Sequence, residues 1–252
     1  MLTNSKNTEI PLDRNCKVLD YHSIGLWAIE KAVGVLSHPN FSGNKTKHTL
    51  LKAEYNFEKE FFHWKDKDQT ERKLYLCHRL DSPTSGIILA ASSLELAEQV
   101  RDAFAKRKVH KTYYAIVRNL GKVHTGIWKD QLCERKSKGK LRVTRGNGPT
   151  AITEVSVARD KQGLYGMTLL KLSPKTGRTH QLRVQSALRK IPIIGDRTYG
   201  DFTLNRKIAR ASKVDRLCLH AGEIELDLCW KGENIRFRSD CPLPRSFGKI
   251  LA

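Results

Sequence analysis

Apolar residues recur along the chain in short runs bounded by polar and glycine-containing stretches, a pattern that predicts more strands than helices. Residues 18–35 are apolar and β-like, with a turn expected at Ser37-His38-Pro39-Asn40. Leu74, Tyr75, Leu76 and Cys77 form one run of strand length, and Ile87, Ile88, Leu89, Ala90 and Ala91 form another. Residues 112–117 read as a strand from their β-branched and aromatic content. Residues 152–158 and 167–172 read as paired strands around a turn at Lys161-Gln162-Gly163, and a last pair covers 217–228 and 235–238. Two helices are expected after residue 90. Ser92 followed by Glu95 makes a capping box for a helix through about Arg107, with Leu96, Val100, Ala103 and Phe104 on its apolar face. The second runs from about Thr179 to Lys190. Residues 133–149 read as a basic, Gly-rich connection, and 40–73, with isolated aromatics (Tyr55, Phe57, Phe61, Phe62, Trp64), as a helix followed by a charged loop. Helices do not alternate strictly with strands, so the expected class is α+β, with a mixed, mainly antiparallel sheet and flanking helices. Residues 1–17 read as a polar tail and 18–252 as one domain.

Charge changes this picture more than composition does. The net charge is +20, and it is concentrated. Residues 101–148 hold 14 basic and 3 acidic side chains, and 171–216 hold 12 and 3, which leaves the rest of the chain neutral. Two basic segments point to a polyanion, and nucleic acid ranks ahead of anionic lipid because no amphipathic membrane helix accompanies them. Solvated lysine faces are the bland alternative. No apolar run approaches the ~20 residues of a membrane span, and the N-terminus lacks an apolar export signal. Cytoplasm is therefore the expected location. The six cysteines are widely spaced without a CxxC pair, so neither a zinc site nor a redox dithiol is expected. They read as reduced and mostly buried.

Candidate chemistry concentrates in two places. The polar nonapeptide HRLDSPTSG (His78 to Gly86) lies between two apolar runs, where a rigid scaffold would hold a loop. A loop Asp is ordinarily a turn former or a cap. Here Asp81 has Arg79 two residues before it, Thr84 and Ser85 to hydrogen-bond the loop, and Gly86 to permit a backbone closed to other residues. In the second cluster, PKTGRTHQLR from Pro174 to Arg183, a strand ends, Gly177 turns, and a helix begins with amides that suit an anion. If Arg178 pairs with Asp81, the acid stays ionised and ready to act; a structural ion pair with helix capping is the equal alternative. The KTG string also occurs in cell-envelope serine acyl-transfer enzymes, but no SxxK or SDN partner supports that reading. No serine or cysteine nucleophile partners His180, which reads as scaffold, as do His78 and His220. Tyr113 follows the basic run Lys106 to Lys111; core packing is the ordinary role of a strand tyrosine, and base stacking is the second option.

With HRLDSPTSG, KTYYAIV and PKTGRTHQLR in that order, the chain resembles RNA pseudouridine synthases of the RluA type over about residues 18–228. Ile191 to Asp196 with Tyr199-Gly200, and Leu219-His220-Ala221, resemble further segments of that family. One departure is plain: Lys31-Ala32-Val33-Gly34 has alanine where the family has proline. The resemblance implies that residues 18–252 form the catalytic domain, with no S4-like RNA-binding domain ahead of it. It implies isomerisation of uridine to pseudouridine in structured RNA, with no cofactor and no metal. Asp81 would be the essential carboxylate, Tyr113 would stack on the uracil and assist proton removal, and Arg178 would hold Asp81. Arg79 would fill the place of the flipped nucleotide, with His78, Lys111 and Arg183 also at the RNA, and Thr84, Ser85, Gly86, Gly177, His180 and Gln181 would shape the motifs. Competing readings are an RNA glycosidase that releases uracil and an inactive RNA-binding or ribosome-assembly protein of the same fold. Pro83, and Gly200-Asp201 followed by Asn205-Arg206, resemble the branch acting on the T-stem side of tRNA, so tRNA is expected ahead of rRNA. The expected partner is RNA and the expected state a monomer.

Overall fold

The computed structural model describes residues 10–39, 48–118, 121, 123–137, 140–163 and 165–252. In chain order the elements are β1 (Lys17–His22), β2 (Leu26–Lys31), β3 (Glu54–Asn56), β4 (Phe61–Lys65), β5 (Glu71–Leu76), β6 (Ser85–Ala91), α1 (Leu94–Ala105), β7 (Val109–Arg118), β8 (Gly126–Ser137), β9 (Lys140–Gln162), β10 (Met167–Pro174), α2 (Gln181–Leu188), α3 (Phe202–Ser212), β11 (Leu219–Trp230), β12 (Glu233–Asp240) and α4 (Arg245–Leu251). They form two compact units, Met1–Val109 with Glu223–Cys241 and His110–Gly222 with Pro242–Ala252. Strands predominate, and most of their ladders, β1–β2, β2–β6, β4–β5, β7–β10, β9–β10, β8–β9 and β11–β12 among them, are antiparallel, in keeping with the expected α+β class.

In the first unit β6 pairs with β2 from Leu26↔Ala91 to Lys31↔Gly86 and, at its far end, with β5; β3, β4 and β5 form a meander. Every residue of β6 is buried. A strand covered on both faces has no need of polar alternation, hence the unbroken SGIILAA. Helix α1 places Leu96, Ala97, Val100 and Ala103 against Ile87, Leu89, Leu226 and Phe237. Its cap is Ser93, whose hydroxyl accepts from the Leu96 N–H at 3.3 Å, one residue after the expected Ser92. In the second unit β10 lies between β7 and β9, and β9 pairs onward with β8. Ile116, Leu170, Leu172 and Phe247 lie in its core.

Two expectations fail, for physical reasons. Residues 133–149 are not a connection but parts of β8 and β9, apart from residues 138 and 139, which lie outside the described residues. Leu132 and Val143 are buried, but basic residues interrupt the alternation on both faces, Arg135 and Arg142 opposite each other on one and Arg145 opposite Leu132 on the other. The glycines serve a bulge: the register shifts between Gln131 and Leu132, and a Cβ on Gly148 would sit 1.8 Å from the Leu132 carbonyl oxygen. In 40–73 the expected helix is absent from the described residues 48–73, which carry β3, β4 and β5 instead; residues 40–47 lie outside the described set. The aromatics there are cross-strand partners, as Tyr55↔Phe62 and Phe61↔Tyr75 show. The second helix is shorter than expected, and α3 and α4 were not anticipated. The expected polar tail also ends early: Leu12 bridges Leu51, and Asp13 is buried.

Replacing Ser93 by Ala should lower stability in urea denaturation by about 1 kcal/mol through loss of the cap.

Candidate active site

The Asp81 loop joins β5 to β6 in the first unit and is held by backbone clamps. Leu80, which is buried, donates its N–H to the Ser37 hydroxyl at 3.2 Å and accepts from that hydroxyl at 2.9 Å. At Ser82, the carbonyl accepts from the Gly34 N–H at 2.9 Å, while its hydroxyl donates to the Gly34 carbonyl at 3.2 Å. The Thr84 N–H closes a turn on the Asp81 carbonyl at 2.9 Å. Beneath these contacts lies Lys31, fully buried, whose ammonium donates to the carbonyls of Ser82 (3.0 Å), Ala32 (3.0 Å) and Val35 (2.7 Å). Three carbonyls match the three N–H donors of an ammonium, which is what lets a charge be buried. Lys31 and Gly34 belong to the segment that departs from the family pattern. The turn forms with Ala32 in place, and the Ala32 N–H, which a proline would lack, donates to Cys16 Sγ at 3.5 Å. Gly86, opposite Lys31 in the ladder, has φ +114°, outside the range of L side chains, as the loop reading required.

Within this loop Asp81 is half-buried, Thr84 and Ser85 are buried, and Arg79 is exposed. Arg79 donates to Nε2 of His38 at 3.2 Å, and His38 stacks on Tyr55 at 5.6 Å. His78 accepts the Leu89 N–H on Nε2 at 3.0 Å and lies against the Phe104 ring, which fits a scaffold role.

The PKTGRTHQLR segment lies in the second unit, at the end of β10 and the start of α2. Gln181, buried, accepts on Oε1 from the Thr176 hydroxyl (2.7 Å) and the Arg178 N–H (3.0 Å), and donates through Nε2 to the Ile152 carbonyl (3.1 Å) and the Thr153 hydroxyl (2.9 Å). All four hydrogen-bonding positions of the amide are thereby used, and the turn that presents the exposed Arg178 is pinned to β9. The amides expected to await an anion are partly committed: Arg178 N–H to Gln181 and Gln181 N–H to the Arg178 carbonyl at 3.0 Å. His180 takes a left-handed conformation (φ 52°) without being a glycine, and its Nδ1 lies 2.8 Å from the Tyr199 hydroxyl, again a scaffold contact. Neither space nor backbone demands a glycine at 177, where a Cβ would meet no atom within 4 Å.

Arg183 was expected at the RNA, but it is 5% exposed and pairs with the buried Asp196 through Nε (2.8 Å) and Nη2 (3.0 Å). A direct RNA contact would have to break this internal pair. Burial alone would raise the Asp196 carboxyl, but the Arg183 hydrogen bonds and charge, with the Tyr199 and Thr198 N–H groups, outweigh it and hold the group below the usual carboxylate range. Lys111 and Tyr113 are half-buried on β7, and burial pulls the Lys111 ammonium below the usual lysine range. Sequence reasoning missed Gln185, fully buried, whose amide bonds Thr153, Trp128, Asp130 and Ala151; a glutamine one turn after Gln181 was the available signal. It also missed the buried cation at Lys31. Asp81 thus belongs to the first unit, and Tyr113 and Arg178 to the second. Among the described residues no three His, Cys, Asp or Glu side chains are grouped to hold a metal ion, and no helix is long and apolar enough to cross a membrane.

The family described as RNA pseudouridylate synthase matches residues 25–188. The tRNA pseudouridine synthase C of Vibrio cholerae is 32% identical over 219 residues, covering 81% of this chain and 82% of that protein. That of Salmonella typhi is 30% identical over 224 residues, covering 84% and 81%. Among solved structures, human RNA pseudouridylate synthase domain containing 4 superposes with a TM-score of 0.64 at 24% identity, covering 92% of this chain and 91% of that one, and so shares the fold.

Lys31→Met should remove the ammonium donor from three carbonyls, of which those of Ser82 and Ala32 keep a backbone N–H, and cost about 2–3 kcal/mol in denaturant unfolding. Asp196→Asn should cost about 3 kcal/mol at neutral pH by leaving Arg183 buried without its partner. Because the folded-state pKa of Asp196 is lowered, the wild-type advantage should be full above the ordinary value of 3.8 and shrink as the pH falls below it.

Proposed function

The chain belongs to the RNA pseudouridylate synthase family, and from that premise we propose that it converts uridine to pseudouridine in tRNA with Asp81 as the essential carboxylate. Isomerisation of uridine in RNA is the enzyme activity that the family and its curated relatives carry. Transfer RNA as the substrate rests on those relatives, each of which is a tRNA pseudouridine synthase C.

The observation that carries the Asp81 assignment is the clamping of its loop. A carboxylate that must meet one sugar or base atom benefits from a backbone fixed in advance, and Lys31, Ser37 and Gly34 fix this one through Leu80 and Ser82 on either side of Asp81. The reaction needs little more acid chemistry. The bond between ring nitrogen and ribose breaks, the uracil turns, and a carbon–carbon bond forms to the same sugar. One proton leaves the ring carbon and one is gained at the ring nitrogen, so composition is unchanged. Glycoside hydrolases generally use a second carboxylate to protonate a leaving oxygen; a resonance-stabilised uracil anion that is retained does not call for one. For Tyr113 and Arg178 the proposal keeps the roles that the family resemblance implies, stacking on the uracil and keeping the carboxylate ionised. Arg79 takes the place of the extruded nucleotide, whose flipping costs a few kcal/mol. The basic stretches support RNA binding. Apart from residues 101–109, both lie in the second unit.

Asp81→Asn should abolish pseudouridine formation in tRNA while leaving RNA affinity within about twofold, as expected for a residue that acts on the bond rather than on the phosphates. Full activity in that variant would refute the assignment, and release of free uracil by the wild type would replace isomerisation with glycosidase chemistry. Pseudouridine mapping across all RNAs of a deletion strain names the substrate, and loss confined to rRNA would overturn tRNA.

A further inference from the structure

Tyr55 and Glu60, from a stretch that the proposed reaction does not use, help to line a polar cavity beside the Asp81 loop. The cavity, about 160 Å³, is lined by His38, Tyr55, Glu60, His78, Arg79 and Arg101, with Leu76 and Cys77 at its base. All of these residues belong to the first unit.

Two of the lining side chains are guanidiniums without a carboxylate within ion-pair distance among the described residues. Arg101 is anchored through Nε and Nη2 to the Leu76 carbonyl at 3.1 and 2.8 Å, a neutral acceptor that leaves its charge uncompensated. Arg79 donates to His38 Nε2. The Nδ1 of His38 lies 2.9 Å from the Pro39 carbonyl, which can only accept, so Nδ1 carries the proton and Nε2 is the acceptor of the Arg79 bond. That bond therefore neutralises none of the arginine charge. Glu60 is the only acidic residue in the lining, and it is exposed. A half-enclosed space with two arginines and one solvated acid favours an anion, and guanidinium geometry favours phosphate.

An aromatic platform adjoins it. Phe62 is fully buried in β4 and holds the Tyr55 ring edge-on at 4.8 Å; Phe57, 42% exposed, meets Tyr55 edge-on at 5.1 Å; His38 stacks on Tyr55. The row is thus rooted in the core at Phe62 and reaches the surface at Phe57. Aromatic faces next to uncompensated cations are how unpaired nucleotides are held, the rings taking the base and the cations the backbone. The cavity is well below the ~300 Å³ of sites that enclose a whole small molecule. It suits one phosphate group with its base left on the platform outside.

We infer that this cavity and platform form a second nucleotide subsite, which takes an unpaired nucleotide of the substrate RNA: phosphate on Arg101, base against Phe57 and Tyr55, with Arg79 on the cavity wall until it takes the place of the extruded uridine. The inference rests on the reading of the chain as an RNA-modifying enzyme.

The test measures, on the full chain, the affinity of a short oligocytidylate, which contains no uridine to convert, and of a blunt RNA duplex of the same length. Phe57→Ala, a change at an exposed side chain, should weaken oligocytidylate binding about tenfold. Arg101→Gln should weaken it similarly and reduce the slope of log affinity against log salt by about 0.7, the value for one lost phosphate contact on a single strand. Duplex binding should stay within about twofold in both variants, because a paired base has no face free to stack. Unchanged oligocytidylate affinity in Phe57→Ala would overturn the subsite even if Arg101→Gln were too unstable to measure. Equal losses for duplex and single strand would overturn it as well, reducing the arginines to general charge. Failure of the wild type to form pseudouridine in any RNA would instead sink the functional reading beneath it, and the two failures are told apart by assaying conversion alongside binding.

Discussion

The first unit depends on a positive charge buried where water cannot reach it. Lys31 is a strand residue whose side chain would ordinarily run out to solvent. Here it turns inward and ends among the carbonyls of Ala32, Val35 and Ser82. A buried ammonium is tolerable only when its donors are met, so the three carbonyls must converge wherever the fold is formed. Two of them belong to the turn after β2 and the third to the loop before β6. One cation therefore fixes two segments that lie 51 residues apart in the chain. Gly34 and Ser82 then exchange hydrogen bonds in both directions, and Ser37 does the same with Leu80. Asp81 stands between Leu80 and Ser82, and its backbone has little freedom left.

The second unit reaches a similar end with neutral amides. Gln181 and Gln185 lie one turn apart on α2 and are buried against β9, where Thr153 meets both. Each amide ties α2 to neighbouring strands: Gln181 donates to the Ile152 carbonyl and Thr153 hydroxyl, and Gln185 donates to the Trp128 and Ala151 carbonyls while accepting from the Thr153 hydroxyl. The Arg183–Asp196 pair is the charged counterpart, and Asp196 also accepts the Thr198 and Tyr199 N–H groups, so one carboxylate organises the turn after α2. Polar groups in both units hold backbone in place, so the motifs divide into residues that form these clamps and residues, Asp81, Arg79 and Arg178, that the family resemblance assigns to the reaction. That division explains why the motifs contain so many residues with no chemistry of their own.

Parts of this were legible in the chain. HRLDSPTSG lay between two apolar runs, which required a loop between buried strands, and Gly86 does hold a backbone that other residues avoid. Helix α1 and the β9–β10 pair followed from periodicity. The signal failed where charge covered the alternation, as in the second half of β8 and the first part of β9, and where strands were only three to five residues long, as in β3 and β4. Such segments are specified by cross-strand partners that are distant in sequence, so local pattern cannot find them.

The amino-acid sequence by itself determined the family and the reaction, because the motifs that carry them are short and are written in residue types. Whether a given charged side chain in those motifs faces solvent or the interior was decided by tertiary structure. Arg178 and Arg183 are five residues apart in the same motif, and one is exposed while the other is buried on Asp196. Lys31 reads as one of many lysines until the fold encloses it. Burial is a property of what surrounds a residue, and what surrounds these residues comes from elsewhere in the chain.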